Sequence, residues 1–242
     1  MKRNASKHES QFWNGSRQSG GMVVDAKEGT VGLAASALPV PAPASGPACA
    51  GTETSMRAPL ARLCAALAAA FDVSAGAPEP AQCAEFARRV RAALAAAAAD
   101  ADLLTPAERE GAATSYRRHL LATDPLGRYA VAALVWMPGQ ASPVHAHHTW
   151  CGYAVLDGTL TEALYDWNDA AGMAVPARQH PRAAGAVSFA RAGYGGIHRL
   201  INTTAAPAVS IHLYGVPGEH IATRVNDLVP VAATGDAALT TA

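Results

Sequence analysis

From Pro59 onward, apolar residues recur at three- and four-residue steps: Leu60, Leu63, Cys64, Leu67 and Phe71 share one face of a predicted helix. A second helix is expected over roughly 80–99, where Phe86, Val90 and Leu94 fall on one stripe. Thr105-Pro106-Ala107-Glu108 has the form of a capping box with proline at the first helical position, which predicts a third, short helix. After about Ser115 the period changes. Short runs rich in Val, Leu, Tyr and Trp alternate with Gly- or Pro-marked turns, as in an all-β sandwich or barrel. The strands expected are 116–121, 128–136, 149–156, 159–166, 186–190, 196–202 and 208–214. Asp124-Pro125-Leu126-Gly127 and Asp157-Gly158 supply the turn chemistry between them. The helices are expected to pack beside this β domain.

The flanks read differently. Residues 1–55 mix polar residues with a Pro, Ala and Ser run over 37–50, too poor in core-forming side chains to offset the entropy of ordering, so a disordered extension is expected. Met22 and Met56 are alternative starts, which leaves an artefactual extension open. One domain over 56–225 and a loose tail over 226–242 complete the expected organisation.

Charge narrows the partners. Lys and Arg together number 19, as do Asp and Glu, so the formal net charge is zero and neither a nucleic-acid footprint nor a polybasic membrane patch is expected. Cys49, Cys64, Cys83 and Cys151 show neither zinc-site spacing nor a compact disulfide framework, and reduced thiols in a cytoplasmic protein are expected. The Ala92–Ala99 run is far shorter than the about 20 apolar residues of a membrane span. Polar residues after Lys2 and Arg3 interrupt any secretory signal.

The candidate chemistry lies in the histidines. In a strand, alternate side chains share a face, so His145 and His147 point one way while Ala146 and His148 point the other. Two imidazoles on one face make half a metal site. His198 lies on a later predicted strand, and closing a barrel brings distant strands together, giving three ligands on one side of an ion and open positions on the other. A lone His-x-His pair is weak evidence, since most strand histidines are satisfied core or surface residues.

The whole run is more selective. Gly139-x5-His145-x-His147-x3-Cys151-x6-Gly158 resembles the first cupin motif, with Cys151 where many cupins carry a glutamate ligand, and His198-x3-Asn202 resembles the end of the second. The usual Pro-x-Gly before that second histidine is replaced by Arg191-Ala192-Gly193. Over roughly 60–217 the chain is similar to the cysteine dioxygenase type I family. The similarity rests on the three-histidine set, on Tyr116-Arg117-Arg118, on Gly158-Thr-Leu-Thr-Glu162-Ala-Leu-Tyr165 and on Ser210-Ile-His212-Leu-Tyr214-Gly-Val-Pro217.

That resemblance implies a mainly β fold, a cupin-type double-stranded β-helix or jelly-roll barrel, with the N-terminal helices packed beside it. It implies one Fe(II) per chain held by His145, His147 and His198. Arg118 matches the family residue that grips the substrate carboxylate, with Arg117 the alternative if the register slips, and Tyr116 faces as Arg118 does. Ser210, His212 and Tyr214 lie at period two and match a hydrogen-bonded relay that ends at a tyrosine hydroxyl near the iron. Counted back from Gly158, Cys151 falls where some members join a cysteine to that tyrosine through a thioether. Counted forward from His147, Gly152 takes that place.

The activity implied is oxidation of free L-cysteine to cysteine sulfinate with O2. Two alternatives stay open: a 3-mercaptopropionate dioxygenase, whose bacterial members typically carry glutamine in place of Arg118, and a non-catalytic metal-binding cupin. A zinc or manganese cupin isomerase is a further variant. The partners expected are a small thiol and O2, with no nucleic acid and no membrane, and a monomer is expected, with an oligomer left open.

Overall fold

A computed structural model describes residues 56–232 and the backbone of 240–241. The expected extension over 1–55 and most of the expected tail lie outside the described residues. Two helices open the fold, α1 (Ala58–Val73) and α2 (Ala84–Ala98). Pro59 lies in the first turn of α1, where its missing N–H costs nothing, and Leu60, Leu63, Leu67 and Ala70 form the helix's buried stripe. The third expected helix is a single 3-10 turn, Ala107–Arg109. Its cap is reciprocal: Thr105 N donates to Glu108 Oε2 at 2.8 Å, and Glu108 N donates to Thr105 Oγ1 at 3.4 Å.

The β region comprises β1 (Arg117–Thr123), β2 (Ala130–Trp136), β3 (His145–His147), β4 (Cys151–Asp157), β5 (Thr159–Asn168), β6 (Met173–Ala183), β7 (Val187–Ala190), β8 (Gly193–Ile201), β9 (Ala208–Tyr214), β10 (Asn226–Leu228) and β11 (Thr240–Thr241). They build two sheets, ordered β1-β2-β9-β4-β7 and β10-β3-β8-β5-β6-β11, antiparallel throughout except for the β11–β6 pair. This is a mainly β, double-stranded β-helix of the cupin type with helices against one sheet.

Two cores follow. The five-stranded sheet turns Val131, Ala133, Val135, Ala154, Val209, Ile211 and Leu213 toward α1 and α2. Its other face sends Ala132, Leu134, Trp136, Tyr153, Val155 and Tyr214 inward to meet Leu160 and Leu200 of the second sheet. A sheet covered on both faces needs strands without alternation, which is why β2 reads as a continuous apolar run and is buried along its whole length. Each large apolar side chain so buried contributes about 1.5–3 kcal/mol.

Aromatic rings join helices to sheet. Phe86 of α2 meets Phe71 at 5.0 Å and Trp150 at 5.2 Å, both edge to face. The close approach of α2 requires a glycine: a Cβ on Gly152 would sit 3.0 Å from Leu94 Cδ1 and 3.3 Å from the Ser188 carbonyl.

β6 and β10 are among the strands that depart from expectation. β6 carries Pro176 and Pro181, which remove ladder donors and argue against a strand. It forms nonetheless, as the long outer arm of a hairpin with β5, and on its far side, among the described residues, it meets the short β11 and an isolated bridge from Ala174 to Val231. Asn226–Leu228, assigned to the tail from sequence, pairs antiparallel with β3 and so extends the sheet past the histidines. No described helix is long and apolar enough to cross a membrane.

Candidate metal centre

β3 and β8 bring the histidines together. His145 and His198 are direct cross-strand partners, and the register shifts between His145 and His147, where His147 lies opposite Gly193. The His145–His147, His145–His198 and His147–His198 ring centroids are 5.4, 4.7 and 4.9 Å apart. One nitrogen from each ring lies within 4.8 Å of the other two, and all three residues are buried. Ala146, between the pair, packs instead with Ile197 and Ala174.

The donor atoms fit a metal ion. His145 Nδ1 faces the Pro143 carbonyl at 2.9 Å, and His198 Nδ1 faces Glu162 Oε1 at 2.8 Å. Both partners only accept, so each Nδ1 carries the proton and each Nε2 lone pair is left to bind. Neither ring nitrogen of His147 has a protein partner, although both are buried. Buried polar atoms without partners are costly, and an ion would satisfy this one.

Burial keeps the His145 and His147 rings neutral. Burial, then the neighbouring His198 and His147, push His145 well below the usual imidazole value of 6.5. Burial and His198 take His147 down to about 3. Neutral imidazole is the form that binds metal. Burial raises the Glu162 carboxyl, but the hydrogen bond from His198, with the Arg182 guanidinium, outweighs it and holds Glu162 below the usual carboxylate range.

Beyond the rings lies a small cavity of about 20 Å³, bounded by Tyr116, Arg118, Trp136, His145, Cys151, Tyr153, His198, His212 and Tyr214. Arg118 is 6 % exposed. Its Nη1 donates to the Ile221 carbonyl at 2.8 Å, its guanidinium carbon lies 5.6 Å from the Tyr214 ring centre, and its Nε is buried without a partner. Arg117 points the other way, half-buried and 3.9 Å from Glu110. Tyr116 stacks on Trp136 at 4.4 Å. His148 faces outward to Asp227 at 3.2 Å.

The inward row of β9 is linked at one end. Trp136 Nε1 donates to Ser210 Oγ at 2.9 Å, and Ser210 Oγ meets His212 Nε2 at 2.9 Å. His212 and Tyr214 meet as stacked rings 5.8 Å apart and not through the hydrogen bond that a continuous relay requires. Burial and then the Arg118 charge push His212 well below its ordinary value, so the ring is neutral. Burial raises the Tyr214 hydroxyl, which keeps its proton.

Cys151 stands opposite Tyr214 across the β4–β9 ladder and lines the cavity, whereas Gly152 lies under α2. Of the two counts, the one back from Gly158 therefore puts a side chain in the site. Burial raises the Cys151 thiol to about 12.

A second, open chamber of about 470 Å³ reaches the cluster from the other side, past His147, Glu162, His180, Arg182 and Arg191. Cys151, Tyr153 and His198 border both spaces. Tyr153 stacks on His212 at 5.4 Å and forms part of the wall between them. Sequence reasoning gave no role to Tyr153, Trp136, Glu162, His180 or Arg182. Tyr153 continues the period-two row from Cys151, and Glu162 sits within the Gly158-to-Tyr165 run, so both had a signal. His180 and Arg182 lie on the strand that the prolines concealed.

The sequence model of the cysteine dioxygenase type I family matches residues 79–224, a span that contains the three histidines and every cavity residue named above. The chain belongs to the cysteine dioxygenase type I family. Cysteine dioxygenase type 1 of Danio rerio is 32% identical over 108 residues, covering 42% of this chain and 52% of that protein. The Rattus norvegicus enzyme of the same name is 30% identical over 94 residues, covering 38% and 46%. The chain thus spans about half the length of the curated relatives it matches. Among solved structures, a Cupin 2 conserved barrel domain protein from Salinispora arenicola CNS-205 is 21% identical with a TM-score of 0.31, over 41% of this chain and 74% of that one. Oxalate oxidase in complex with the substrate analogue glycolate is 18% identical with a TM-score of 0.37, over 50% and 63%.

Proposed function

We propose that the protein is an Fe(II)-dependent thiol dioxygenase that converts free L-cysteine to cysteine sulfinate. The observation that carries this reading is a cluster of three buried histidines, two of which, His145 and His198, border the same cavity as a buried arginine with an unpartnered N–H. His145, His147 and His198 would hold the iron, one ion per chain. Bound ferrous iron would supply adjacent open positions where a thiolate sulfur and O2 can meet. Both oxygen atoms end on sulfur, which passes from thiol to sulfinic acid, and no other reductant is consumed.

The chain's own residues do the rest. Arg118 lies deep in the cavity, where a substrate carboxylate would satisfy its free N–H and gain a charge-assisted hydrogen bond. Its bond to the Ile221 carbonyl holds the guanidinium still before substrate arrives. Tyr214 keeps its proton and presents a hydroxyl donor beside the reacting atoms, while Ser210 holds His212 against it from behind. Three neutral ligands leave the metal's charge uncompensated, which favours the thiolate over the thiol. The facing positions of Cys151 and Tyr214 also suit a thioether, formed by oxidative coupling in which O2 takes up the thiol and ring hydrogens, and its formation would lower the intact mass by that pair.

Under this reading the partners are a small thiol and O2, and the protein acts as a cytoplasmic monomer. The test is to load the protein with Fe(II) without oxygen, admit O2, and follow its consumption with cysteine, 3-mercaptopropionate and cysteamine while sulfinate is identified by mass. Cysteine should be turned over fastest. Arg118→Ala should depress use of both acids far more than of cysteamine, which has no carboxylate. Oxygen uptake with none of the three would leave a non-catalytic metal-binding module in its place.

A further inference from the structure

We propose that Glu162 is a positioning residue of the metal centre: it fixes the His198 ring and lends the three-imidazole set the negative charge that its ligands lack. The inference rests on the reading of His145, His147 and His198 as the metal set.

Glu162 is 4 % exposed and lies on β5, whose neighbouring inward residue Leu160 is wholly buried. An apolar side chain would complete that face, and a carboxylate taken out of water is costly unless every lone pair is used. This one is placed to recover that cost. Oε1 accepts from His198 Nδ1 at 2.8 Å, while Oε2 lies 3.2 Å from His180 Nε2 and 3.5 Å from Arg182 Nε. His180 is the cross-strand partner of Glu162 on β6, so the sheet register holds the carboxylate from behind.

The geometry has two consequences for His198. Its ring rotation and tautomer are set, which aims Nε2 at the other two rings before any ion arrives. A full negative charge also stands one ring away from the ion, making that imidazole a stronger donor than its neighbour His145, whose Nδ1 meets only a neutral carbonyl. The three ligands are therefore unequal.

A purely structural role is the competing account, because Glu162 also ties β5 to β6 through His180 and Arg182. Metal affinity separates the two. The ferrous-ion dissociation constant of the full-length protein would be measured without oxygen or substrate, by competition with a chromophoric chelator, for the parent, Glu162→Ala and Glu162→Gln. Thermal unfolding of each metal-free protein would be measured alongside.

Loss of the carboxylate in Glu162→Ala should weaken ferrous binding about 10- to 100-fold. Glu162→Gln keeps an acceptor for His198 Nδ1 but removes the charge, and should fall between parent and Ala. If Glu162→Ala does not fold, the near-isosteric Gln variant decides, together with His180→Ala, which removes a half-exposed support of Oε2 and should cause a smaller loss. Binding within about twofold of the parent in every variant that folds, with only the unfolding temperature lowered, would overturn the inference. A parent that binds no ferrous ion would instead remove the three-histidine reading itself.

Discussion

The two faces of β9 are equally hidden from water and chemically opposite. Val209, Ile211 and Leu213 turn toward the helices, Ser210, His212 and Tyr214 turn into the barrel, and none of the six is more than 5 % exposed. Burial alone cannot tell which face has a task. The outer row is what a fold needs, because apolar side chains are stabilising wherever water is excluded. The inner row is tolerable only through specific partners such as Trp136 and Arg118, and polar residues retained at that cost mark the face where chemistry is proposed.

That contrast can be broken from either side. On the outer face, Ile211→Ala leaves a cavity under α1 and α2 and should cost about 2–5 kcal/mol in denaturant unfolding. Turnover per folded molecule should be unchanged, and a matching loss of turnover would erase the distinction between the faces. On the inner face, Ser210→Ala removes little volume but strands the Trp136 N–H and frees His212. It should cost about 1–3 kcal/mol and lower turnover as well.

Acid sharpens the comparison more gently, since only the inner face titrates. In the metal-free protein His145, His147 and His212 are held neutral, with pKa values below the unfolded value of 6.5. The unfolded chain therefore binds more protons as pH falls below about 6.5, and the folded state loses stability. The loss is at most about 1.4 kcal/mol per pH unit for each such ring. For His147 it ends near pH 3, where the folded ring protonates too. Unfolding monitored across this range should show stability rising with pH. A flat profile would mean that the rings are not held neutral.

The inner row of β9 was legible because alternation and residue type coincide there, and its expected bounds, 208–214, are those of the strand. The histidines were legible for the same reason. Arg118 and Arg117 separate as the strand's two faces require, one buried and one half-buried. Less legible was anything whose meaning lies across a ladder. Glu162 reaches a histidine 36 residues away, and its other partners lie on β6, where Pro176 and Pro181 mask the strand. The ambiguity between Cys151 and Gly152 needed α2, because only the packed helix shows which of the two lies outside. β10 is too short to carry a pattern of its own, and it forms by pairing with β3.

The most direct test of the central claim is the anomalous X-ray signal at the iron absorption edge, from crystals loaded with Fe(II) in the absence of oxygen. The account predicts one peak per chain, bonded to nitrogens of His145, His147 and His198 together. A peak that leaves out His198, or none between the three rings, would contradict it.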